Sequence, residues 1–332
     1  MSFLSVALDD QAELIFVLSP TVVSPCWTRR RSTSFSDSPT PRATQGHLRI
    51  KPPANAENKL QAPLMLDVQF GQASDPGKIR TNNEDSMGSF IPSSRQQARS
   101  HGYLFAVADG VGGLDLGEVA SATAISVLVD EFAKAQPGAM LISLLPRLIH
   151  FANAAVHDRT LAPEFRGKKM ATTLVACAMR HDQAIVSHIG DSRCYLVRNG
   201  HARQVTQDHT WVNEQKKLGL ISAEDIAESD ARHVLIRSLG PEMFVSPDTT
   251  ALTLQPGDVL VLCTDGLHDE TTALDLGKIA SQQKNADEIA QELVKHALEI
   301  DGHDNTTAQV IRVRSVEQVG MYRGRPYRLP SI

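Results

Sequence analysis

The chain has 332 residues, of which 42% are hydrophobic and 21% are charged, and its formal net charge is −5. This length allows one large domain or two smaller ones, and the hydrophobic fraction is sufficient for a buried core. Both ends of the chain carry a basic excess, so the acidic excess lies between them. An acidic body disfavours a nucleic-acid groove, and no apolar run approaches the ~20 residues of a membrane span.

The first part of the chain, residues 1–62, is rich in Ser, Thr, Pro and Arg. Such a segment buries too little apolar surface to offset the entropy lost on ordering, and we predict a disordered N-terminal extension. Four readings remain open: a linker, a poorly evolved extension, a start codon placed too far upstream, or a phosphorylated or docking tail. Asp9, Asp10 and Glu13 interrupt the pattern of a signal peptide.

We predict a folded domain at residues 63–314, followed by an irregular basic tail at 315–332. The first half of the domain contains an apolar strand and two helices. These elements are a strand at 103–108, a helix from Asp115 to about Lys134, and a helix from about Met140 to Arg159. Asp115 and Glu118 have the spacing of a capping box, and Pro146 is expected near the first turn of the second helix or at a kink.

Four short apolar runs follow in succession, and we predict that they form an antiparallel meander. They lie at 173–179, 184–189, 193–198 and 201–205. Asn199-Gly200 between the last two is a strong signal for a type I′ hairpin. Strands in runs with helices elsewhere predict an α+β fold built in layers.

The remaining elements are a polar segment, two more strands and a terminal helix. The segment at 211–233 has mixed charge, with Ser222 and Asp225 as a cap pair. The strands lie at 259–263 and 308–311, and the helix begins with a capping box of Asn285 and Glu288. Its apolar face consists of Ile289, Leu293, Ala297 and Ile300.

Three of the four cysteines, Cys177, Cys194 and Cys263, fall inside strand-like runs, and none forms a CxxC pair. We therefore predict buried, reduced thiols, which fit a reducing cytoplasm.

Acidic signatures recur beside the apolar runs. They are Arg80-Thr-Asn-Asn-Glu84-Asp85, Asp109-Gly110-Val-Gly-Gly, Gly190-Asp191-Ser-Arg, Thr264-Asp265-Gly-Leu and Asp304-Asn305-Thr-Thr. A single Asp-Gly is most often a turn. Several in one domain predict acids that converge on a hard cation, because clustered carboxylates repel one another unless positive charge lies among them.

These ordered signatures, together with Thr172-Thr173-Leu, Thr206-Gln-Asp-His209 and Arg237-Ser-Leu-Gly240, resemble the metal-dependent protein phosphatases, the PPM or type 2C serine/threonine family. The resemblance covers about residues 66–314 and is greatest to the bacterial branch. It implies a four-layer αββα sandwich of two antiparallel sheets flanked by helices. It also implies hydrolysis of phosphoserine and phosphothreonine by a metal-activated water, with two tight Mn²⁺ or Mg²⁺ sites and a possible third, weaker site.

The resemblance further implies a role for each acid. Asp109 bridges both metals, the Gly110 carbonyl completes one site, and Asp265 and Asp304 hold the other metal. Glu84 and Asp85 act mainly through metal-bound waters, and Asp191 binds a third metal together with Asp265. Arg80 grips the phosphate, and Asn305 orients the site. Oxygen ligands suit Mg²⁺ and Mn²⁺ rather than zinc.

Two positions depart from the family pattern. Val111 stands where many eukaryotic members have a histidine, so the proton donor must be a metal-bound water or another group. His209 and His303 are near in the motifs, but a structural role is the expectation for each. Ala171 replaces the usual Gly before the Thr-Thr pair. The segment at 211–233 corresponds to a mobile flap in related enzymes, with an ordinary helical surface as the alternative.

The sequence thus predicts a cytoplasmic, monomeric phosphatase without a membrane span or nucleic-acid partner. Its expected partners are phosphoserine and phosphothreonine proteins, and the flap favours a bacterial Hanks-type kinase as the enzyme that it opposes. A phosphorylated anti-sigma antagonist is a second possible setting. A phosphatase of small molecules and a non-catalytic phosphatase-like scaffold are the other two functional alternatives.

Overall fold

Ten of the twelve described strands form two five-stranded antiparallel sheets in the computed structural model, which describes residues 65–111, 116–220, 231, 233–322 and 325–328. In chain order, the strands are β1 (Asp67–Asp75), β2 (Asp85–Phe90), β3 (Tyr103–Asp109), β4 (Leu174–Arg180), β5 (Gln183–Ile189), β6 (Arg193–Arg198), β7 (His201–Gln204), β8 (Asp248–Thr253), β9 (Val259–Cys263), β10 (Thr306–Ser315), β11 (Val319–Tyr322) and β12 (Arg325–Arg328). One sheet has the spatial order β1-β10-β9-β6-β7, and the other has the order β2-β3-β4-β5-β8.

The helices lie outside the sheets. They are α1 (Arg95–Ser100), α2 (Gly117–Ala133), α3 (Leu141–Thr160), α4 (Trp211–Lys217), α5 (Asp265–His268), α6 (Ala273–Ala280), α7 (Ala286–Ile300) and a short 3-10 helix, Pro163–Phe165. Within these described ranges, no helix is long and apolar enough to cross a membrane.

Helix α7 shows how the sequence sets a helix end and a buried face. The predicted capping box is present, because Asn285 accepts from the Glu288 amide and Glu288 accepts from the Asn285 amide. Ile289 and Leu293 are buried as predicted. Ile300 is 55% exposed, so its predicted place on the buried apolar face is wrong; it is the last residue of the helix. The predicted caps at Asp115, Ser222 and Asp225 lie outside the described residues.

Three apolar clusters fill the spaces between adjacent layers. Leu145, Ile149 and their neighbours fill the space between helices α2 and α3 and the β2–β8 sheet. Phe105 and Leu262 belong to the cluster between the two sheets, and Leu293 belongs to the cluster beneath helices α6 and α7. The predicted α+β sandwich of the αββα type is therefore confirmed.

The predicted meander is wrong at one point, between β5 and β6. Strand β4 pairs with β5, and β6 pairs with β7, but β5 and β6 belong to different sheets. The chain passes from one sheet to the other at residues 190–192, and the first of these, Gly190, has a φ of +96°. Both strands are buried and apolar, so the sequence pattern does not distinguish a hairpin from this change of sheet.

The residues after β10 also differ from expectation. Strands β11 and β12 pair antiparallel with each other over residues 319–322 and 325–328. The paired strands replace the irregular tail expected in this region. Residues 1–62 lie outside the described residues.

Candidate metal centre and active site

The predicted acids meet at one end of the two sheets. Asp85 opens β2 and pairs directly opposite Asp109, the last residue of β3. Asp265 is the first residue of α5, directly after β9, and Asp304 lies just before β10. Strands of both sheets thus begin or end beside carboxylates at a common edge, which explains why the acidic signatures adjoin strands.

Asp109, Asp265 and Asp304 border a cavity of about 550 Å³, whereas Asp85 lies outside its lining. The acids among the described residues that line it are Glu84, Asp109, Asp191, Asp265, Asp269, Glu270, Asp301 and Asp304. Arg80 is the only Arg or Lys in the same lining. The structure therefore brings the predicted site residues other than Asp85 together in a strongly negative cavity.

Asp109 and Asp265 form the centre of the cluster. Burial raises the pKa of Asp109 well above its usual value, and repulsion from Asp265, Asp85 and Asp191 raises it further. Burial also raises the pKa of Asp265. The two carboxyl groups lie close together in this buried position, and their mutual repulsion is one cause of the raised pKa of Asp109. Such a pair is stabilised by positive charge placed between its members.

Asp85 is held by a threonine that sequence reasoning did not assign a role. The Thr264 hydroxyl donates to Asp85 Oδ2 at 2.9 Å and accepts the Thr307 amide at 3.0 Å. Asp85 Oδ1 is buried and has no hydrogen-bond partner. Burial is the main cause that raises the pKa of Asp85 to about 7. The signal for Thr264 is its place immediately before Asp265 in the signature.

Asp191 is 6% exposed and lies on the segment that joins the two sheets. Ligand atoms of Asp191, Asp265 and His233 all lie within 4.8 Å of one another. Burial, followed by repulsion from Asp265, raises the pKa of Asp191 to about 7. The predicted proximity of Asp191 and Asp265 is therefore present, and His233 is an additional neighbour that sequence reasoning placed only at the end of the flap segment.

Arg80 and Glu84 lie on the loop between β1 and β2. Arg80 Nη2 donates to Asp304 Oδ2 at 2.8 Å. Asn305 fixes this loop, because its Oδ1 accepts the Glu84 amide and its Nδ2 donates to the carbonyls of Pro76 and Asn82. Burial, followed by repulsion from Glu118, raises the pKa of Glu84.

Gly110 lies beside Asp109 at the site, where two other segments of the chain approach its backbone very closely. A Cβ atom at Gly110 would lie 2.4 Å from the backbone of Gly117 and 2.8 Å from the Glu84 carbonyl oxygen. Val111 lines the cavity and donates its amide to the Ala171 carbonyl at 3.0 Å. Ala171 itself is buried, so the strand start accommodates its methyl group.

The two histidines near the motifs occupy different environments. His303 lines the cavity, is 68% exposed as a side chain, and pairs with Asp301. His209 is 1% exposed and lies outside the cavity lining.

The donor set fits divalent metal ions. It consists mainly of carboxylate oxygens, one of which, on Asp85, is buried without a partner. Hard oxygen donors of this kind suit Mg²⁺ and Mn²⁺. The described cysteines are buried in the apolar clusters, away from the cavity lining, so the thiolate ligands typical of structural zinc are lacking there.

Comparison with known proteins gives a consistent family assignment. Residues 81–299 match the sequence profile of the family described as Protein phosphatase 2C. The chain is 32% identical to the serine/threonine phosphatase stp of Listeria innocua over 249 residues, which is 74% of this chain and 96% of that protein. It is 34% identical to the serine/threonine protein phosphatase PstP of Mycobacterium tuberculosis over 257 residues, which is 76% of this chain and 46% of that protein.

The fold comparison agrees. The catalytic domain of PstP in complex with two manganese ions superimposes with a TM-score of 0.64 at 31% identity, over 75% of this chain and all of that domain. The serine/threonine phosphatase of S. agalactiae gives a TM-score of 0.66 at 28% identity, also over 75% of this chain and all of that one. The chain therefore belongs to the protein phosphatase 2C family, and the predicted bacterial PPM class and serine/threonine phosphatase activity are confirmed.

Proposed function

We propose that this protein hydrolyses phosphoserine and phosphothreonine in protein substrates, with Mn²⁺ or Mg²⁺ as cofactor, and that it opposes a bacterial Hanks-type kinase. The observation that carries the proposal is the convergence of Asp109, Asp191, Asp265 and Asp304 on one cavity beside Arg80. Such a cavity suits a phosphate dianion only when cations offset the negative charge of its lining.

The acids have distinct roles in this proposal. Asp109, with the Gly110 carbonyl, Asp265 and Asp304 would hold the two tight cations, and Asp191 with Asp265 would hold a weaker third. When bound, the cations supply positive charge for the phosphoryl oxygens and activate water for in-line attack. Glu84 and Asp85 would act mainly through hydrogen bonds to waters bound to these cations. The unpartnered Oδ1 of Asp85 is an acceptor suited to that role.

Arg80 would bind the phosphate, because its planar guanidinium can donate to two oxygens at once. It lies at the cavity edge, with 41% of its side chain exposed, and can therefore reach an incoming ligand. Asn305 would keep Arg80 in place indirectly, since it bonds the loop that carries both Arg80 and Glu84.

The leaving oxygen must receive a proton from a group other than residue 111, because Val111 occupies that place and has no titratable group. His233 and His303 both line the cavity. His233 lies beside Asp191 and Asp265, whereas His303 pairs with Asp301 at the exposed rim. His233 is therefore the better placed of the two histidines to act near the reacting group.

We also propose that residues 63–314 form the phosphatase domain and that residues 1–62 are dispensable for catalysis. The family match at 81–299 lies within this domain. The free buried thiols of Cys177, Cys194 and Cys263 fit a reducing cytoplasm. We propose that the protein acts there as a monomer, which sedimentation of the full chain tests directly.

Activity assays on the purified full chain test the proposed function. We expect phosphoserine and phosphothreonine peptides to be hydrolysed with Mn²⁺, no turnover after thorough chelation, and recovery when Mn²⁺ is returned. Activity that survives metal removal would contradict the mechanism. Faster turnover of sugar phosphates than of phosphopeptides would favour a small-molecule phosphatase instead, and binding without turnover would favour a scaffold.

The opposing kinase is tested with whole phosphoproteins. A Hanks-type kinase that has phosphorylated itself and a phosphorylated anti-sigma antagonist are offered at equal concentration. We expect the kinase to lose phosphate at the higher kcat/KM. Preference for the antagonist would reject this part of the proposal and leave the phosphatase assignment intact.

A further inference from the structure

Gly190, the residue before Asp191, is fixed on two sides. Its N–H donates to Nδ1 of His209 at 3.2 Å, and its carbonyl accepts the His209 amide at 2.9 Å. On the other side, a Cβ atom at Gly190 would lie 2.6 Å from the Thr173 side chain. With a φ of +96° this position also favours glycine. Both backbone polar groups of Gly190 are thus bonded to one residue.

The His209 ring is itself held in one orientation. It is 1% exposed and stacks on His188, with ring centroids 4.6 Å apart. Because Nδ1 accepts from Gly190, a neutral ring carries its hydrogen on Nε2. That nitrogen lies 3.4 Å from Asp248 Oδ2, and Arg237 Nη1 donates to the other oxygen of Asp248. Arg237 Nη1 also lies 3.3 Å from Nε2, but a guanidinium only donates, so in this tautomer the pair is not a hydrogen bond. Burial, followed by His188 and Arg237, lowers the pKa of His209 to about 4, so the ring stays neutral near pH 7.

His209 also helps to join the two ends of segment 210–235, which together are called its base. The His209 carbonyl accepts the Ile236 amide at 2.9 Å, and Thr210 forms a β-bridge with Leu235. The segment between them carries His233 into the catalytic cavity, beside Asp191. One buried residue therefore contacts both the loop that bears Asp191 and the base of the segment that bears His233.

We propose that His209 is a positioning residue that fixes the Gly190-Asp191 loop relative to the base of segment 210–235, so that Asp191, Asp265 and His233 face one another. Its side chain acts through the Nδ1 acceptor, and its backbone carbonyl acts on Ile236. His209 lies outside the cavity lining and does not touch the substrate. The inference goes beyond the proposed function and depends on it only where activity is measured.

Two variants of matched size test the acceptor. In His209→Asn, Oδ1 can replace Nδ1 as the acceptor for the Gly190 amide, whereas His209→Leu has no acceptor. Hydrogen exchange of the Gly190 amide is measured in the metal-free full chain. We expect about fivefold faster exchange in His209→Leu, consistent with the loss of one hydrogen bond, and a rate within about twofold of the original in His209→Asn.

Calorimetric Mn²⁺ titration and phosphopeptide turnover provide two further readouts. We expect His209→Leu to weaken the weakest Mn²⁺ site and lower kcat more than it changes KM, and His209→Asn to restore most of both. His201→Leu is the control, since His201 is exposed on the β6–β7 hairpin and lines neither the catalytic cavity nor the neighbouring one. It should leave every readout unchanged.

Equal exchange rates in the Leu and Asn variants, or unchanged exchange in both, would overturn the proposal. If thermal melting shows that neither variant folds, Asp248→Ala replaces them, because Asp248 is 43% exposed and contacts Nε2 from the surface. It should accelerate Gly190 exchange in the same direction by a smaller factor, and no acceleration would again reject the inference. Exchange and calorimetry need no turnover, so failure here is distinguishable from failure of the phosphatase assignment.

Discussion

Arg80 and Asp304, the proposed phosphate-binding residue and a proposed metal ligand, are paired with each other: Nη2 donates to Oδ2 at 2.8 Å. The hydrogen bond to Asp304 is the main cause that raises the pKa of Arg80. The guanidinium therefore offsets part of the negative charge at the edge of the cavity in the protein without metal. We expect a cation bound at Asp304 to compete with this pair and to free Arg80 for the phosphate.

Arg80→Ala should consequently have effects of opposite sign on metal and on substrate. Without the competing guanidinium, Mn²⁺ affinity at the Asp304 site should rise by a few-fold, as measured by calorimetry. The KM for phosphopeptides should rise by about tenfold or more, because a charge-assisted contact is worth ~1.5–3 kcal/mol. Arg80→Lys should keep more of the metal effect than of the substrate effect, since an ammonium lacks the planar fork. Weaker Mn²⁺ binding in Arg80→Ala would contradict this account.

Asp109→Asn should abolish turnover and stabilise the metal-free protein. Asp109 lies among Asp265, Asp85 and Asp191, so removal of its charge relieves repulsion in a buried cluster. We expect a higher midpoint of thermal unfolding in chelator and a loss of the stabilisation that Mn²⁺ gives to the original protein. Near-normal turnover of Asp109→Asn at saturating Mn²⁺ would exclude the bridging role.

Stability of the metal-free protein should depend on pH through Asp191. Burial raises its folded pKa to about 7 from the ordinary 3.8, so its contribution to stability is full below about pH 3.8 and is lost as pH rises toward 7. Asp191→Asn removes this loss. In chelator, the variant should be more stable than the original protein at pH 8, and the difference should shrink toward pH 5. A difference that is constant from pH 8 to pH 5 would show that Asp191 does not titrate in this range.

Thr264 and Thr271 form a matched pair for a test of stability. Both are buried, but the Thr264 hydroxyl bonds Asp85 and the Thr307 amide, whereas the Thr271 hydroxyl has no hydrogen-bond partner. Thr264→Val should lower the free energy of unfolding by about 1–3 kcal/mol, because it leaves buried polar groups unpaired. Thr271→Val should be neutral or stabilising. Urea unfolding of both variants in chelator measures the difference, and equal losses would contradict the assigned bonds.

The buried strands were the most predictable part of the fold. The predicted bounds of β6 and β9 agree with the structure at both ends, because each is a short apolar run between polar turns. The edge strands β2 and β8 were not predicted. Their sequences, DSMGSF and DTTALT, contain few apolar residues, which agrees with their burial: β2 is half-buried throughout, and only one residue of β8 is fully buried.

The acids of the site were predictable because each adjoins an apolar run in an ordered signature. His233 was not, because its place depends on how the segment after Thr210 returns to the cavity, which no local pattern encodes. The proposed role of His209 was not predictable either. The sequence shows a histidine within a motif, but only the fold shows that His209, which follows β7, bonds the backbone of Gly190, which follows β5.

The pairing of β1 with β10 joins the beginning of the domain to its end, with Asp67 opposite Ser315 and Asp75 opposite Thr306. A ribosome releases the chain from its N-terminus, so Glu84, Asp85 and Asp109 emerge long before Asp304 and its strand. Contacts so distant in sequence form slowly, because a long loop must close first. The growing chain therefore lacks a complete catalytic centre throughout most of its synthesis, and a protein truncated within β10 would be inactive whatever its metal supply. Phosphatase activity thus reports that the whole domain has been made and has closed.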